Sequence, residues 1–328
     1  MPTNLPPEYF EVERRYRAAS LPAEQVILLE ELISTIPKHK GTDRLRADLR
    51  RKLSKLKNMA QVRKGVSRRE SAFRVSREGA GLVVVVGPTN VGKSALVAAL
   101  TNATPEVSEA PFTTWEPTSG MMPVENIQIQ LVDTPSLDRN FVEPELLHLI
   151  RRSDFILLVV DLQTDPVQHL DDTLSLLQEH RIAPRHLKDR YAKQRRLTFI
   201  PLLVLANKSD GEDMDENFEI FCGLLEDDWP LLPVSATTGR NLERLKQVVF
   251  ERLEIIRVYS KAPGREPDLG APFVLEKGST VAEFARKVHQ DFFEGLKAAR
   301  LWGSALYDGQ MVRRDHVLQD GDIVELRI

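Results

Sequence analysis

Residues 87–94 read GPTNVGKS: glycine, four residues, glycine, lysine and serine. That spacing is the pattern of a loop that cradles phosphate groups. The candidate loop runs Gly87, Pro88, Thr89, Asn90, Val91, Gly92, Lys93, Ser94 and Ala95. Its backbone N–H groups would wrap the phosphates, helped by the positive end of the helix that follows. Gly87 and Gly92 allow the backbone to come close. Lys93 would reach the β- and γ-phosphates, and Ser94 would ligate magnesium.

Four further segments follow in an order that suits the same chemistry. In PFTT, residues 111–114, a threonine can close over the γ-phosphate and add its hydroxyl to the magnesium shell. LVDTPS, residues 131–136, ends an apolar strand on Asp133, an acid placed to bind the ion through water. LLVLANKSD, residues 202–210, carries Asp210 beyond another strand. A carboxylate there accepts two hydrogen bonds from N1 and N2 of guanine, whereas adenine would leave it unpaired at a cost of several kcal/mol. Asn207 and Lys208 would brace the site and pack along the ring, and in PVSATTG the N–H of Ala236, after Ser235, would meet the guanine carbonyl. Singly, each segment has a plain structural explanation, such as a surface threonine pair or a strand-ending cap. Five in one order do not.

These residues need elements to hold them. Leu82 to Val86 is an unbroken apolar run with β-branched residues, as in a strand buried on both faces of a parallel sheet. Strands are predicted over 82–87, 119–123, 127–133, 154–162, 199–207 and 232–236, with helices over 141–152, 167–180, 214–226 and 240–256. The alternation indicates a doubly wound α/β sheet with ligands at the carboxyl ends of its strands. Before it, residues 8–60 read as a helical hairpin joined at PKHKGTD, with Leu45, Leu49, Leu53 and Leu56 striping the second arm. Residues 61–80 read as basic and loosely ordered. After the sheet, IIRVYS and PFVLEKG suggest a strand pair, and TVAEFARKVHQDF a helix with a capping box from Thr280 to Glu283. LYDGQMV and DGDIVELRI add a turn and a last strand, giving a small α+β module. The expected domains are 1–80, 81–255 and 256–328.

GPTNVGKS, PFTT, DTPS, NKSD and SAT together resemble the motif series of a translation-factor-type GTPase. PFTT before EPTSG is particularly similar to the Obg and DRG (developmentally regulated GTP-binding) families. IPKHKGTDRLRADLRRKLSKLK resembles the basic helical segment of DRG-like proteins, and the tail resembles a TGS domain, a β-grasp module. Obg's glycine-rich amino-terminal domain is absent. The resemblance implies a P-loop G domain that binds GTP and hydrolyses it slowly as a magnesium-dependent switch, working with ribosomes or RNA. It assigns phosphate and magnesium to Lys93 and Ser94, the first switch to Thr114, the second to Asp133, and the base to Asn207, Lys208, Asp210, Ser235 and Ala236. Two residues depart from the pattern. Ser136 stands where the second switch carries glycine, and Leu137 where Ras-like proteins carry a water-orienting glutamine. Asn90 resembles the asparagine of potassium-activated GTPases, so K⁺ joins Mg²⁺ as an expected cofactor; a loop-shaping role is the equal alternative.

Charge is segregated along the 328 residues. Between Lys38 and Glu78 fifteen Lys/Arg face four Asp/Glu, a balance of +11 in a chain whose net charge is −3. The stretch can bind the backbone of RNA; a solvated helix face packed on the G domain is the alternative, and an anionic membrane ranks below both. His289 and His316 sit on separate elements of a tail without a catalytic set, which reads as a binding surface. The single cysteine, Cys222, excludes an intrachain disulfide. With no signal-peptide core or membrane-length apolar run, a cytoplasmic GTPase is expected. A non-catalytic guanine-nucleotide adaptor is the rival reading, and Asp210 opposes a YchF-type ATPase.

Overall fold

In the computed structural model the described residues are 6–18, 22–36, 49–53, 75–101, 117–138, 142–191 and 196–328. They fall into two compact units, Met1–Ala72 and Phe73–Ile328.

In the first unit, helices α1 (Pro7–Ala18) and α2 (Pro22–Thr35) precede a helical stretch at 49–53. Tyr9 and Val12 of α1 pack with Leu29 and Leu32 of α2, Ile36 and Leu49 in a small core, and Leu53 lies against it. The predicted arm from residue 8 is thus two helices rather than one. Proline starts α2, where its fixed φ suits a first turn and its missing N–H would have no partner. Leu45, Leu56 and most of the basic stretch lie outside the described residues.

The second unit opens with a six-stranded sheet in the order β2-β3-β1-β4-β7-β8. The strands are β1 (Leu82–Val86), β2 (Thr118–Val124), β3 (Ile127–Asp133), β4 (Phe155–Asp161), β7 (Leu202–Asn207) and β8 (Leu231–Pro233). Only β2 runs antiparallel, against β3; all other pairs are parallel. Every residue of β1 and of β4 is buried, which explains their unbroken apolar runs. Val83, Val85, Leu157 and Val159 face a core with Leu96, Leu245 and Val249 from the helices Lys93–Leu100 (α3) and Leu242–Arg252. On a core of this kind each fully buried Val or Leu contributes roughly 1.5–3 kcal/mol, far more than any single exposed ion pair.

The predicted strand 199–207 splits at Pro201. Its first part, β6 (Thr198–Ile200), pairs instead with β5 (Ile182–Pro184) in a separate two-stranded sheet. Proline has no N–H for the ladder, so one continuous central strand cannot pass through it. The helix predicted over 240–256 ends at Arg252. Residues 75–80 are not loose as expected. Gln130 donates to Ser76 O at 3.0 Å and accepts from Glu78 N–H at 3.0 Å, and Arg77 pairs with Asp154 at 2.6 Å.

The carboxyl-terminal sheet has the order β10-β9-β13-β11-β12. It is built from β9 (Ile255–Ser260), β10 (Phe273–Glu276), β11 (Ala298–Trp302), β12 (Gln310–Val312) and β13 (Asp322–Arg327). The helix Val281–Val288 carries the expected capping box between Thr280 and Glu283 and buries Val281, Phe284 and Ala285 on the sheet. It ends at His289, whose extended backbone separates it from a short helix Gln290–Gly295. The strand β11 escaped the sequence reading. AARLW is too short, and too mixed in its polarity, to alternate clearly.

Candidate functional site

β1 lies between β3 and β4, so the strand order reverses at its carboxyl end, the place where open α/β sheets bind ligands. The candidate loop leaves β1 at that point and enters α3. Two glycines make the turn. Gly87 has φ +147°, and a Cβ there would stand 2.4 Å from Val159 O; Gly92 has φ +90°, and a Cβ would stand 2.3 Å from Asn207 Nδ2. Any side chain at either position would both strain the backbone and collide. Asn90 also has positive φ, +62°.

Lys93 is buried and its ammonium donates to Pro88 O at 2.7 Å, so it lies over the hollow of its own loop. Ser94 donates its hydroxyl to Asp133 Oδ2 at 2.5 Å. Asp133 ends β3 beside β1, where Val85 is its register partner, and it is fully buried. Burial raises its carboxyl pKa, against the lowering effects of Ser94, Lys93 and the Thr134 backbone. Its Oδ1 has no hydrogen-bond partner. An orphaned buried carboxylate oxygen beside a serine hydroxyl fits a cation or the water of one. Among the described residues no three His, Cys, Asp or Glu side chains cluster to hold a metal by themselves. Mg²⁺ needs no such cage, because it takes one or two protein ligands and completes its shell with phosphates and water. Thr114 lies outside the described residues.

The base-side residues gather at the ends of β7 and β8. Asn207 is buried; its amide donates to Val91 O at 2.8 Å, and its Oδ1 accepts from Ala236 N–H at 3.3 Å. Lys208, at φ +64°, reaches across to Asp161 at 2.6 Å. The exposed Asp210 accepts from the Ser235 hydroxyl at 2.6 Å and from Gln163 Nε2 at 3.3 Å. Ser235 also accepts from Thr238 N–H at 2.9 Å. Apart from Thr114, the structure therefore brings the sequence-predicted residues together at the carboxyl ends of the strands, in two groups joined by Asn207.

Sequence reasoning missed three residues here. Asp161 ends the apolar run FILLVV much as Asp133 ends its own, and that signal was available. Gln163, two residues on, also donates to Lys208 O at 3.2 Å and had no signal. The third is Asp138, whose carboxylate accepts from Thr89 N–H at 2.9 Å and from the Thr89 hydroxyl at 2.8 Å. Burial raises the Asp138 pKa, but hydrogen bonds from Thr89 and Ser136 outweigh it and hold the carboxyl below its ordinary value. Leu137 is buried and its N–H donates to Gly87 O at 3.3 Å.

Comparison with known proteins identifies the two folded parts. The family described as 50S ribosome-binding GTPase matches residues 82–207, and the TGS domain matches residues 256–328. A GTP-binding protein of Methanocaldococcus jannaschii is 30% identical over 93% of this chain and 92% of its own length. A Saccharomyces cerevisiae protein named ribosome-interacting GTPase 1 is 24% identical over 94% of this chain and 99% of its own. The solved YchF GTPase of Schizosaccharomyces pombe shares the fold over 77% of this chain and 99% of its own, with a TM-score of 0.52 at 14% identity. The chain belongs to the DRG-like family of GTP-binding proteins, in which a GTPase domain is followed by a TGS domain.

Proposed function

We propose that this GTPase binds guanine nucleotide with Gly87–Ala95 on the phosphates and Asn207, Lys208, Asp210, Ser235 and Ala236 on the base, and hydrolyses GTP slowly. One observation carries the reading: Asn207 hydrogen-bonds the phosphate loop through Val91 and the base loop through Ala236, which supports taking the two loops as ends of one ligand site. Lys93 and the loop N–H groups stabilise charge on the terminal phosphates as water attacks phosphorus and the bond to the β-phosphate oxygen breaks. Ser94, Thr114 and Asp133 would hold Mg²⁺, which would neutralise phosphate charge. The buried Leu137 cannot orient the attacking water, which supports slow turnover, and Asn90 is the candidate for a K⁺ ion that compensates.

The basic stretch 38–78 and the TGS domain would dock the GTP form on a ribosome or another RNA assembly. The named yeast relative, the matched family's description and the +11 balance all support this reading. We further propose the division 1–80, 81–255 and 256–328, and a cytoplasmic setting; among the described residues no helix is long and apolar enough to cross a membrane.

The test is GTP turnover by the purified chain in potassium and in sodium, with and without ribosomes, with Lys93→Ala as the blank. Turnover above the blank that rises with ribosomes supports the whole reading. Equal rates in the two salts remove the K⁺ assignment. Tight GTP binding with turnover no faster than the blank would instead make the chain a nucleotide-controlled adaptor.

A further inference from the structure

The break at Pro201 shapes the side of the sheet away from the nucleotide residues. β6 turns aside there to pair with β5, and Thr198 to Pro201 form one wall of a cavity of about 330 Å³. Asp154, just before β4, and Leu253 and Ile255, where the chain enters the TGS domain, form others. The cavity therefore lies at the amino ends of the parallel strands, whereas the candidate nucleotide residues sit at the carboxyl ends. Strands of five to seven residues, at about 3.3 Å each, separate the two, so one small molecule cannot reach both. The volume suits a small ligand.

Five cations line this space: Arg77, Arg151, Arg185, Arg252 and Lys277. Three acids accompany them, and two of these are already engaged. Asp154 accepts from Arg77 at 2.6 Å and from Leu82 N–H at 2.8 Å, and Glu254 accepts from Arg185 at 3.3 Å. Arg151 donates to a neutral carbonyl, His180 O, at 2.7 Å. Arg252 and Lys277 form no ion pair among the described residues. Glu276 is thus left against Arg151, Arg252 and Lys277, and five cations less three acids leave an excess of two positive charges. Arg151 and Arg252 end helices, where a cation also suits the dipole. Lys277 serves no helix end, for it stands in the turn after β10.

We propose that this cavity is a second ligand site, which holds a dianionic phosphate monoester. The phosphate lies on Arg151, Arg252 and Lys277, and the body of the ester lies against Phe199 and Leu253. A monoester carries close to two negative charges at neutral pH, which matches the excess; an internal backbone phosphate of a nucleic acid carries one. A guanidinium also matches two phosphate oxygens at once. A small phosphorylated molecule and the phosphorylated end of an RNA strand present this same group. Arg151 comes from the GTPase domain and Lys277 from the TGS domain, so the ligand joins the two. The nucleotide assignment is not needed for this site.

The experiment is calorimetric titration of the full chain with phenyl phosphate, in excess GDP and Mg²⁺ so that the phosphate loop is occupied. The expected result is saturable binding that Arg252→Gln and Lys277→Gln each weaken about two- to fivefold. Glu276→Gln strengthens it by about twofold, which a purely structural role for these charges would not produce. All three side chains are exposed, so folding is at little risk, and GDP affinity stays at the wild-type value. Phenyl sulfate, a monoanion of the same shape, binds about two- to fivefold more weakly. A 5′-phosphorylated RNA tetramer that competes, where its 5′-hydroxyl twin does not, assigns the source to an RNA end; failure of both to compete assigns it to a small molecule. No saturable binding of phenyl phosphate overturns the proposal. So does binding that Lys93→Ala abolishes and that Arg252→Gln and Lys277→Gln leave unchanged, which would place the ester on the phosphate loop. If GDP itself does not bind, the nucleotide assignment falls, and the response to Arg252→Gln and Lys277→Gln still decides the second site.

Discussion

At the base end of the candidate site Asn207, Lys208, Asp210 and Ser235 hydrogen-bond one another or the chain around them, whereas at the phosphate end the buried Asp133 keeps an oxygen with no partner. The base end is therefore already shaped before a ligand arrives. Little ordering is left for binding to cost, and the site selects by complementarity. The phosphate end is incomplete. An orphaned buried oxygen costs free energy, and a cation held there as proposed would remove that cost. On the proposed assignment, one half recognises and the other half is organised by what it holds.

The largest effect expected from breaking this contrast is on base selectivity. Asp210→Ala removes the acceptor proposed for guanine's N1 and N2 groups. GTP should lose about a hundredfold or more of its advantage over ATP in competition binding, since guanine loses two charge-assisted hydrogen bonds that adenine never makes. A preference for GTP that survives would move base recognition away from Asp210.

Asn207→Ala strikes the joint between the halves. It frees Val91 O and Ala236 N–H together, and losing buried hydrogen bonds of this kind costs roughly 1–3 kcal/mol. GDP and GTP affinities should fall together, by about ten- to a hundredfold. A fall confined to GTP would show that the residue serves only the phosphate end.

Asp133→Asn sharpens the contrast through pH. Burial raises the Asp133 pKa in the folded chain above its unfolded value. The folded protein therefore takes up that proton first as pH falls, so this residue makes the nucleotide-free chain more stable on acidification through the window from the raised value down to the ordinary one, and less stable above it. Magnesium needs the ionised form, so Mg²⁺ affinity should decline over the same window. Thermal melts in chelator, followed across pH for the wild type and Asp133→Asn, read the first effect: the mutant should lose that part of the slope and melt no lower near neutrality. Mg²⁺ titrations of the GDP form read the second. A wild-type slope unchanged in the mutant would mean that Asp133 stays ionised and partnered throughout.

The contrast also decides what could be read from the sequence. Loop, strand-ending acid and base motifs are local in the chain, each a few residues whose types the proposed ligand would require. GPTNVGKS, LVDTPS and NKSD were therefore legible, as were the fully buried strands β1 and β4 that carry them. The ties that join such segments are not local. Asp138 meets Thr89 across 49 residues and Asn207 meets Val91 across 116, and no spacing in the chain encodes either. Pro201 was a visible break inside a long apolar run, but its effect, sending β6 to pair with β5, depended on the three-residue strand at Ile182 that carries no pattern of its own. At the other end of scale, Gln130 fixes residues 76–78 with one side-chain amide, which composition read as a loose basic linker.

The smallest effect is expected from Gln163, and it tests how far the shaping of the base end matters. Its side-chain amide touches Lys208 O and Asp210 Oδ2 at 3.2 and 3.3 Å, both exposed, while its own N–H is held by Asp161 Oδ1 at 2.9 Å. Exposed hydrogen bonds of this length contribute about 0.5–1 kcal/mol at most. Gln163→Ala should therefore weaken GDP by only about two- to fivefold in the same competition assay, and leave Mg²⁺ affinity unaltered. The guanine-over-adenine ratio should hardly move, because Ser235 still aims the Asp210 carboxylate at 2.6 Å. A loss of selectivity as large as that of Asp210→Ala would reverse this ranking: it would make Gln163, rather than Ser235, the residue that sets the carboxylate, and the base end would be far less rigid without its exposed rim than its buried contacts suggest.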